Sequence, residues 1–207
     1  MAIKESSDEL NPTTVAPSAI VTRSGSSRTA KDFFALAVST CGVGYLPLAP
    51  GTWGSLVGVA LYLLFWSLSE RVLFANATRP TLLEIGTPQM AFMLTAIFLL
   101  SMAGIWAASR VERLSQRKDP SIVVIDEVAG QMIALLPGPF FVHTWWSIIS
   151  AFVLFRAFDI WKPYPIRRLE ALESGLGIMA DDILAGVYAL IVNSILISAY
   201  VLFVAHA

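Results

Sequence analysis

The stretch "GIMADDILAGVYALIVNSI", residues 177–195, places Asp181 and Asp182 directly before a long apolar run. That run continues through residues 184–205, "LAGVYALIVNSILISAYVLFVA", and is about long enough to cross a bilayer as a helix. Ionised carboxylates at the edge of such a segment cost free energy unless something pairs with them. The chain therefore poses two linked questions: how many such segments it has, and what its acids meet.

Composition answers the first in outline. Of 207 residues, 56% are hydrophobic and only 14% charged, and the mean hydropathy is +0.69. This is the profile of an integral membrane protein rather than a soluble domain. A formal net charge of −1, with no basic stripe interleaved with aromatics, gives no reason to expect nucleic-acid binding. A lone cysteine, Cys41, excludes an internal disulfide framework. Residues 1–31 are rich in Ser, Thr and Pro without apolar periodicity and read as a disordered polar tail. Residues 32–207 read as one helical membrane domain.

Two further segments are candidate spans. Residues 90–109, "MAFMLTAIFLLSMAGIWAAS", are long enough, and 54–68, "GSLVGVALYLLFWSL", would be if "ERVLF" continued the helix. Segments 129–142 and 145–158 are short and separated by Pro137, Gly138 and Pro139. Proline removes a backbone donor and clashes with the preceding turn, so a tight helical hairpin is expected there, with one kinked span as the alternative. Twelve of the 14 Lys and Arg residues lie in residues 1–53, 110–128 or 156–183. The positive-inside bias puts these regions on one, cytosolic side, which the hairpin satisfies and a single span does not. The expected fold is an all-α, membrane-embedded bundle with a cytosol-facing site.

The unusual residues collect in those same regions. In "GVGYLPLAPGTWGS", residues 42–55, glycines permit close backbone approach, so Gly51 and Thr52 could offer N–H groups to a phosphate at a helix start. The same pattern also serves as plain turn punctuation. In "SIVVIDEVAGQM", residues 121–132, a helix N-cap would explain Asp126 or Glu127, but not both. Likewise one of Asp181 and Asp182 could cap the last helix, leaving the other over. In "FRAFDIWKPYPIRRLE", residues 155–170, Arg156, Asp159 and Lys162 recur at i, i+3 and i+6, so neighbours can pair, and Arg167 and Arg168 follow.

Clustered carboxylates repel one another unless a cation lies between them, and all-oxygen ligation suits Mg2+ or a similar hard ion. Guanidinium and ammonium groups nearby supply what a phosphate needs. Acids for a metal beside bases for an anion suggest metal-assisted phosphoryl chemistry. Other phosphatase chemistries lack their parts. "CGVGYLP" from Cys41 has no following arginine, and His143 and His206 lie away from the acids. There is no D-x-D sequence and no G-x-x-x-x-G-K-[ST] loop.

Together, "PLAPGTWGS", "IVVIDEVAG", "FRAFDIWKPYPIRRLE" and "GLGIMADDILAG" resemble, in order, the signature segments of the phosphatidylglycerophosphatase A family, over roughly residues 32–205. The resemblance implies an Mg2+-dependent phosphatase that converts phosphatidylglycerol phosphate to phosphatidylglycerol during phospholipid biosynthesis, in the bacterial inner membrane. By resemblance Asp126, Glu127, Asp159, Lys162, Asp181 and Asp182 fall on the family's charged positions. The resulting expectation is that Asp126, Glu127, Asp181 and Asp182 hold the metal. Asp159 would complete the metal shell or orient water, and Arg156, Lys162 and Arg167 would hold phosphate oxygens. Ser174-Gly175 departs from a Gly-Gly pair found in many relatives. Because some relatives are soluble, membrane embedding rests on this chain's own hydrophobicity. A phosphatase for another lipid phosphate and a small membrane transporter are the alternatives.

Overall fold

The computed structural model describes residues 28–74, 82–136 and 144–206. These form seven helices and, among the described residues, no strand. They are α1 (Ala30–Thr40), α2 (Pro50–Phe74), α3 (Leu82–Ser115), α4 (Ile125–Ala134), α5 (Trp145–Trp161), α6 (Ile166–Leu169) and α7 (Ser174–His206). The all-α bundle expected from composition is the fold observed. The expected polar tail lies almost wholly outside the described residues.

Three stretches are long and apolar enough to cross a membrane: Pro50–Leu73, Gly86–Ser115 and Ser174–His206. The first runs through the "ERVLF" segment, as a spanning length requires. Leu64, Leu68, Phe98, Leu99, Ile195 and Phe203 on these helices are exposed, as a lipid-facing surface would be. Inside the bundle, helices are joined by small residues and polar clasps. Gln89 donates to Ser69 across α2 and α3 at 3.1 Å. Between α5 and α7, Ser150 donates to Asn193 at 2.6 Å, and Asn193 donates to the Ser147 carbonyl at 3.3 Å. Such interhelical hydrogen bonds hold packing that lipid gives no hydrophobic reason to form.

Short α4 lies at the centre, covered by α2, α5 and α7, and nine of its ten residues are buried. The expected hairpin follows from its packing. A continuous helix would put residues 130 and 155 roughly 37 Å apart. Instead the Phe155 ring lies against Gly130, so closely that a Cβ there would fall 2.5 Å from it. The chain goes in through α4 and returns through α5. The Pro137–Pro139 turn itself lies outside the described residues.

Two elements differ from the sequence expectation. Helix α7 starts at Ser174, ten residues before the apolar run, so Asp181 and Asp182 sit two turns inside it. Neither caps the helix. The sequence expectation began the helix at Asp181 or Asp182, but the glycines of "SGLGIMADD" are where α7 meets its neighbours, and packing holds the stretch helical. Helix α1, unforeseen, lies on α3. Asp32 accepts from the Thr29 hydroxyl and amide at 2.8 and 2.7 Å and pairs with Arg110 at 2.6 Å. These contacts, the Thr29 donations first, hold its carboxyl below the usual range.

Candidate active site

Helices α4 and α7 cross at glycine. The Gly130 carbonyl occupies the space a Cβ on Gly186 would need, and the Asp182 carbonyl lies 2.5 Å from where one on Gly130 would sit. With backbones this close, acids one turn upstream on each helix are brought together. Ligand oxygens of Asp126, Glu127 and Asp182 all lie within 4.8 Å of one another. Asp126 and Asp182 are buried, at 7% and 3% exposure, and Glu127 is nearly so. Asp126 Oδ1 and Glu127 Oε2 are buried with no hydrogen-bond partner.

Neither α4 acid caps its helix: the N-cap position is Val124, without a side-chain bond. Both acids lie in the first turn, where the helix dipole favours negative charge. That does not offset burial beside like charges. Burial, then Glu127 and Asp182, raises Asp126 well above the usual carboxylate range. Burial also raises Glu127; Asp126 and then Arg156 offset part of the rise, and Asp159 adds to it.

The N-terminus of α2 closes the cluster from above. Gly51 is packed so near Glu127 that a Cβ would collide with its carboxylate and lie 2.9 Å from Arg156 Nη1. Here the glycine is needed for close approach. Gly54 plays the same part against Val124 of the α4 N-cap. Thr52 shares this turn, but its N–H already donates to the Ala49 carbonyl at 2.9 Å, so that donor is not free.

On α5 the i, i+3 spacing pairs Arg156 with Asp159 at 2.5 Å. Lys162 does not extend that ladder. It ends α5 in a left-handed conformation, φ +47°, and reaches across to Asp181 at 2.7 Å and to Glu170 at 3.7 Å. Burial alone would lower the Lys162 ammonium, but the Asp181 hydrogen bond and charge outweigh it and raise it. Asp181 is thus engaged with Lys162 and stands apart from the three-acid group. Arg168 lies over the Tyr164 ring, 4.9 Å from its centroid.

Two adjoining cavities open on this face. The smaller, about 160 Å3, is lined by Pro50, Asp126, Glu127, Asp159, Lys162 and Asp182, among others. The larger, about 490 Å3, includes Lys118, Arg167 and Glu170. Asp119, Ile178 and Asp181 line both. Arg167 therefore faces the larger space. Asp119 and Glu170 were not singled out from sequence. Asp119 sits in a "KDP" turn at φ +47°, and a lone acid before proline signals only a turn. Cys41 lines neither cavity, and burial and then Glu127 push its thiol up to about 11, which disfavours a nucleophilic thiolate.

Helices that could span a membrane, closed at one end around buried carboxylates with guanidinium and ammonium groups beside them, define a membrane enzyme acting on an anionic group. Residues 36–197 match the Phosphatidylglycerophosphatase A family, and the chain belongs to it. It is a phosphatase. A Haemophilus influenzae protein named "Phosphatidylglycerophosphatase A" is 38% identical over 152 residues, 73% of this chain and 80% of that protein. An Escherichia coli protein of the same name is 32% identical over 147 residues, 70% and 73% of the two chains. A Bacteroides thetaiotaomicron protein named "Putative phosphatidylinositol-3-phosphatase" is 37% identical over 157 residues, 74% and 87%. No solved structure matches the chain.

Proposed function

We propose that the chain hydrolyses the terminal phosphomonoester of phosphatidylglycerol phosphate, releasing phosphatidylglycerol and inorganic phosphate, as a step of phospholipid biosynthesis. We place the reaction on the cytosolic face of the bacterial inner membrane, with Mg2+ held by Asp126, Glu127 and Asp182. The observation that carries this reading is the crowding of three carboxylates from two crossing helices, with two buried oxygens left unpartnered. Six carboxylates and one ammonium line the smaller cavity. Such a space repels a phosphate unless a cation is added, and an all-oxygen donor set suits a hard one. When bound, that ion supplies charge neutralisation for the phosphoryl oxygens and a more acidic water.

The chain's own groups divide the remaining work. Arg156, held in orientation by Asp159, offers its guanidinium to phosphate oxygens beside Gly51, where the positive end of the α2 dipole adds to the field. Asp159 orients the attacking water. Attack at phosphorus breaks the bond to the glycerol oxygen, which leaves with a proton as an alcohol. Lys162 neutralises Asp181 and keeps one ammonium at the cavity wall. A transport pathway would place its charged site near the bilayer midplane, whereas these groups gather at one end of the bundle.

The family and two relatives' names support the glycerol headgroup, while the Bacteroides relative's name favours an inositol one. Phosphate release by the detergent-purified protein, with and without Mg2+, on phosphatidylglycerol phosphate, phosphatidate and phosphatidylinositol 3-phosphate decides between them. Preference for the first is expected. Preference for either of the others overturns the substrate assignment, and turnover in full after chelation overturns the metal. Lys118 and Glu170 line one cavity, so cysteines placed at either position in a Cys41→Ser background should be labelled from the cytosolic side alone.

A further inference from the structure

Hydrolysis of the monoester accounts for the smaller cavity and leaves the larger one unexplained. At about 490 Å3 it is three times the volume of its neighbour, within the roughly 300–1,000 Å3 usual for small-molecule sites. The two share Asp119, Ile178 and Asp181, so they are compartments of one cleft. Their cations differ in availability. Lys162, in the smaller cavity, is taken up by Asp181 and Glu170. Lys118 and Arg167, lining the larger one, form no ion pair among the described residues. Asp119, Glu170 and Asp181 line the larger cavity too, but Glu170 and Asp181 turn to Lys162. Lys118 and Arg167 are thus cations without a direct ion-pair partner among the described residues, and they have a use if the ligand carries a second anionic group.

We propose that this cavity is a second anion subsite, in which Lys118 and Arg167 hold the phosphodiester of the substrate while its monoester lies in the smaller cavity. The inference rests on the lipid phosphatase reading above. Phosphatidylglycerol phosphate carries two phosphates joined by a three-carbon bridge with one hydroxyl, which matches two adjoining compartments in number. Asp119, on the wall between them, is positioned to accept the bridge hydroxyl. The diester needs charged donors because leaving water for a cleft with several carboxylates is otherwise unfavourable. The subsite makes Lys118, Arg167 and Asp119 determinants of specificity. A phosphatidate, whose monoester sits directly on the acylated glycerol, leaves both cations unpaired and is disfavoured.

The test uses glycerophosphoglycerol, which has the diester and no monoester, and inorganic phosphate, which stands in for the monoester. Glycerophosphoglycerol should inhibit the wild-type protein competitively. Lys118→Ala and Arg167→Ala should each raise its inhibition constant, and the KM for phosphatidylglycerol phosphate, about tenfold, as for loss of a charge-assisted hydrogen bond open to water. The loss should fall on KM more than on kcat, because this part of the substrate does not change during reaction. Both residues are exposed, so thermal unfolding should stay near wild type and separates binding from folding. Wild-type KM and inhibition constants in both variants overturn the subsite and leave the phosphatase reading standing. An equal weakening of inorganic phosphate assigns these cations to the reacting group and also overturns it. No phosphate release from the lipid by the wild-type protein removes the underlying reading instead.

Discussion

Gly130 of α4 and Gly186 of α7 touch where the two helices cross, and Asp126 and Asp182 each lie four residues before that contact. Four residues is about one helical turn, so each acid sits over its own glycine. The spacing of the glycines thereby sets the spacing of the carboxylates. A methyl on Gly186 would meet the Gly130 carbonyl, which is backbone and cannot turn aside. Gly186→Ala is therefore expected to spread the crossing, at about 1–3 kcal/mol of stability. Turnover should fall about tenfold to a hundredfold, because a displacement near 1 Å matters at a reaction centre. Paired measurements of Mg2+ affinity and thermal unfolding check this. A variant that loses stability and keeps its metal affinity would show that the crossing does not position the acids.

Asp126→Asn and Asp182→Asn separate chemistry from architecture. Neither acid caps a helix, so no capping energy is at stake. Each substitution removes a buried charge that has like charges beside it. The metal-free variants should therefore unfold at the same temperature as wild type or above it. Mg2+ should no longer raise that temperature, and phosphate release should drop at least about a hundredfold. Near-wild-type turnover in both variants would remove these carboxylates from the reaction.

The pH dependence has a definite sign. Asp126 and Glu127 are raised in the folded, metal-free protein. Between the unfolded value, about 4, and the raised values, the folded state holds protons the unfolded chain has released. Stability without metal is then greatest below the unfolded value and falls as pH rises through the folded ones. Mg2+ needs the deprotonated oxygens, so its stabilising effect grows in the same direction. Melting temperatures from about pH 5.5 to about pH 8, with EDTA and with Mg2+, should diverge as pH increases. Parallel curves would mean that the acids titrate like solvated ones.

How far the chain could be read before its structure depended on the range of each interaction. The spans were legible because a 20-residue apolar run has few other fates, and the α4–α5 return because Pro137 and Pro139 interrupt the only continuous alternative. The Arg156–Asp159 pair was legible because i, i+3 neighbours share a helix face. The Lys162–Asp181 pair was not, since it joins residues 19 apart through an α5 end that turns left-handed. The start of α7 was hidden for a related reason. Local composition at 174–182 describes a loop, and the contacts that make it a helix come from α3 and α4. Asp119 carried no signal beyond a turn, and its place between two cavities arises only when α6 and α7 close over it.

Ser174 gives a test of local backbone strain. It begins α7 at φ +59°, a region that costs an L-residue roughly 1 kcal/mol and glycine much less. Glycine also gains more freedom on unfolding, which offsets part of the relief. Ser174→Gly should stabilise the protein by about 0.5 kcal/mol and leave kcat/KM within twofold or so. A lower melting temperature would show that the serine side chain holds the turn by some other contact.

The salt bridge between Lys162 and Asp181 sets what a Lys162 substitution should do. Asp181 is 5% exposed, and its neighbour Asp182 belongs to the three-acid cluster. Lys162→Met would leave the Asp181 carboxylate buried without its cation. Removing one partner of a buried pair costs about 3–5 kcal/mol, and less here because the Lys162 side chain is 22% exposed. A loss of about 2–3 kcal/mol is expected, together with weaker phosphate inhibition. The double variant Lys162→Met, Asp181→Asn carries no stranded charge and should recover at least about half of that stability. It should not recover turnover, because the ammonium at the cavity wall is still missing. Thermal unfolding and phosphate release of the two single variants and the double complete the cycle. Additive stabilities would mean that the pair is uncoupled, and restored turnover would mean that Lys162 serves only to neutralise Asp181.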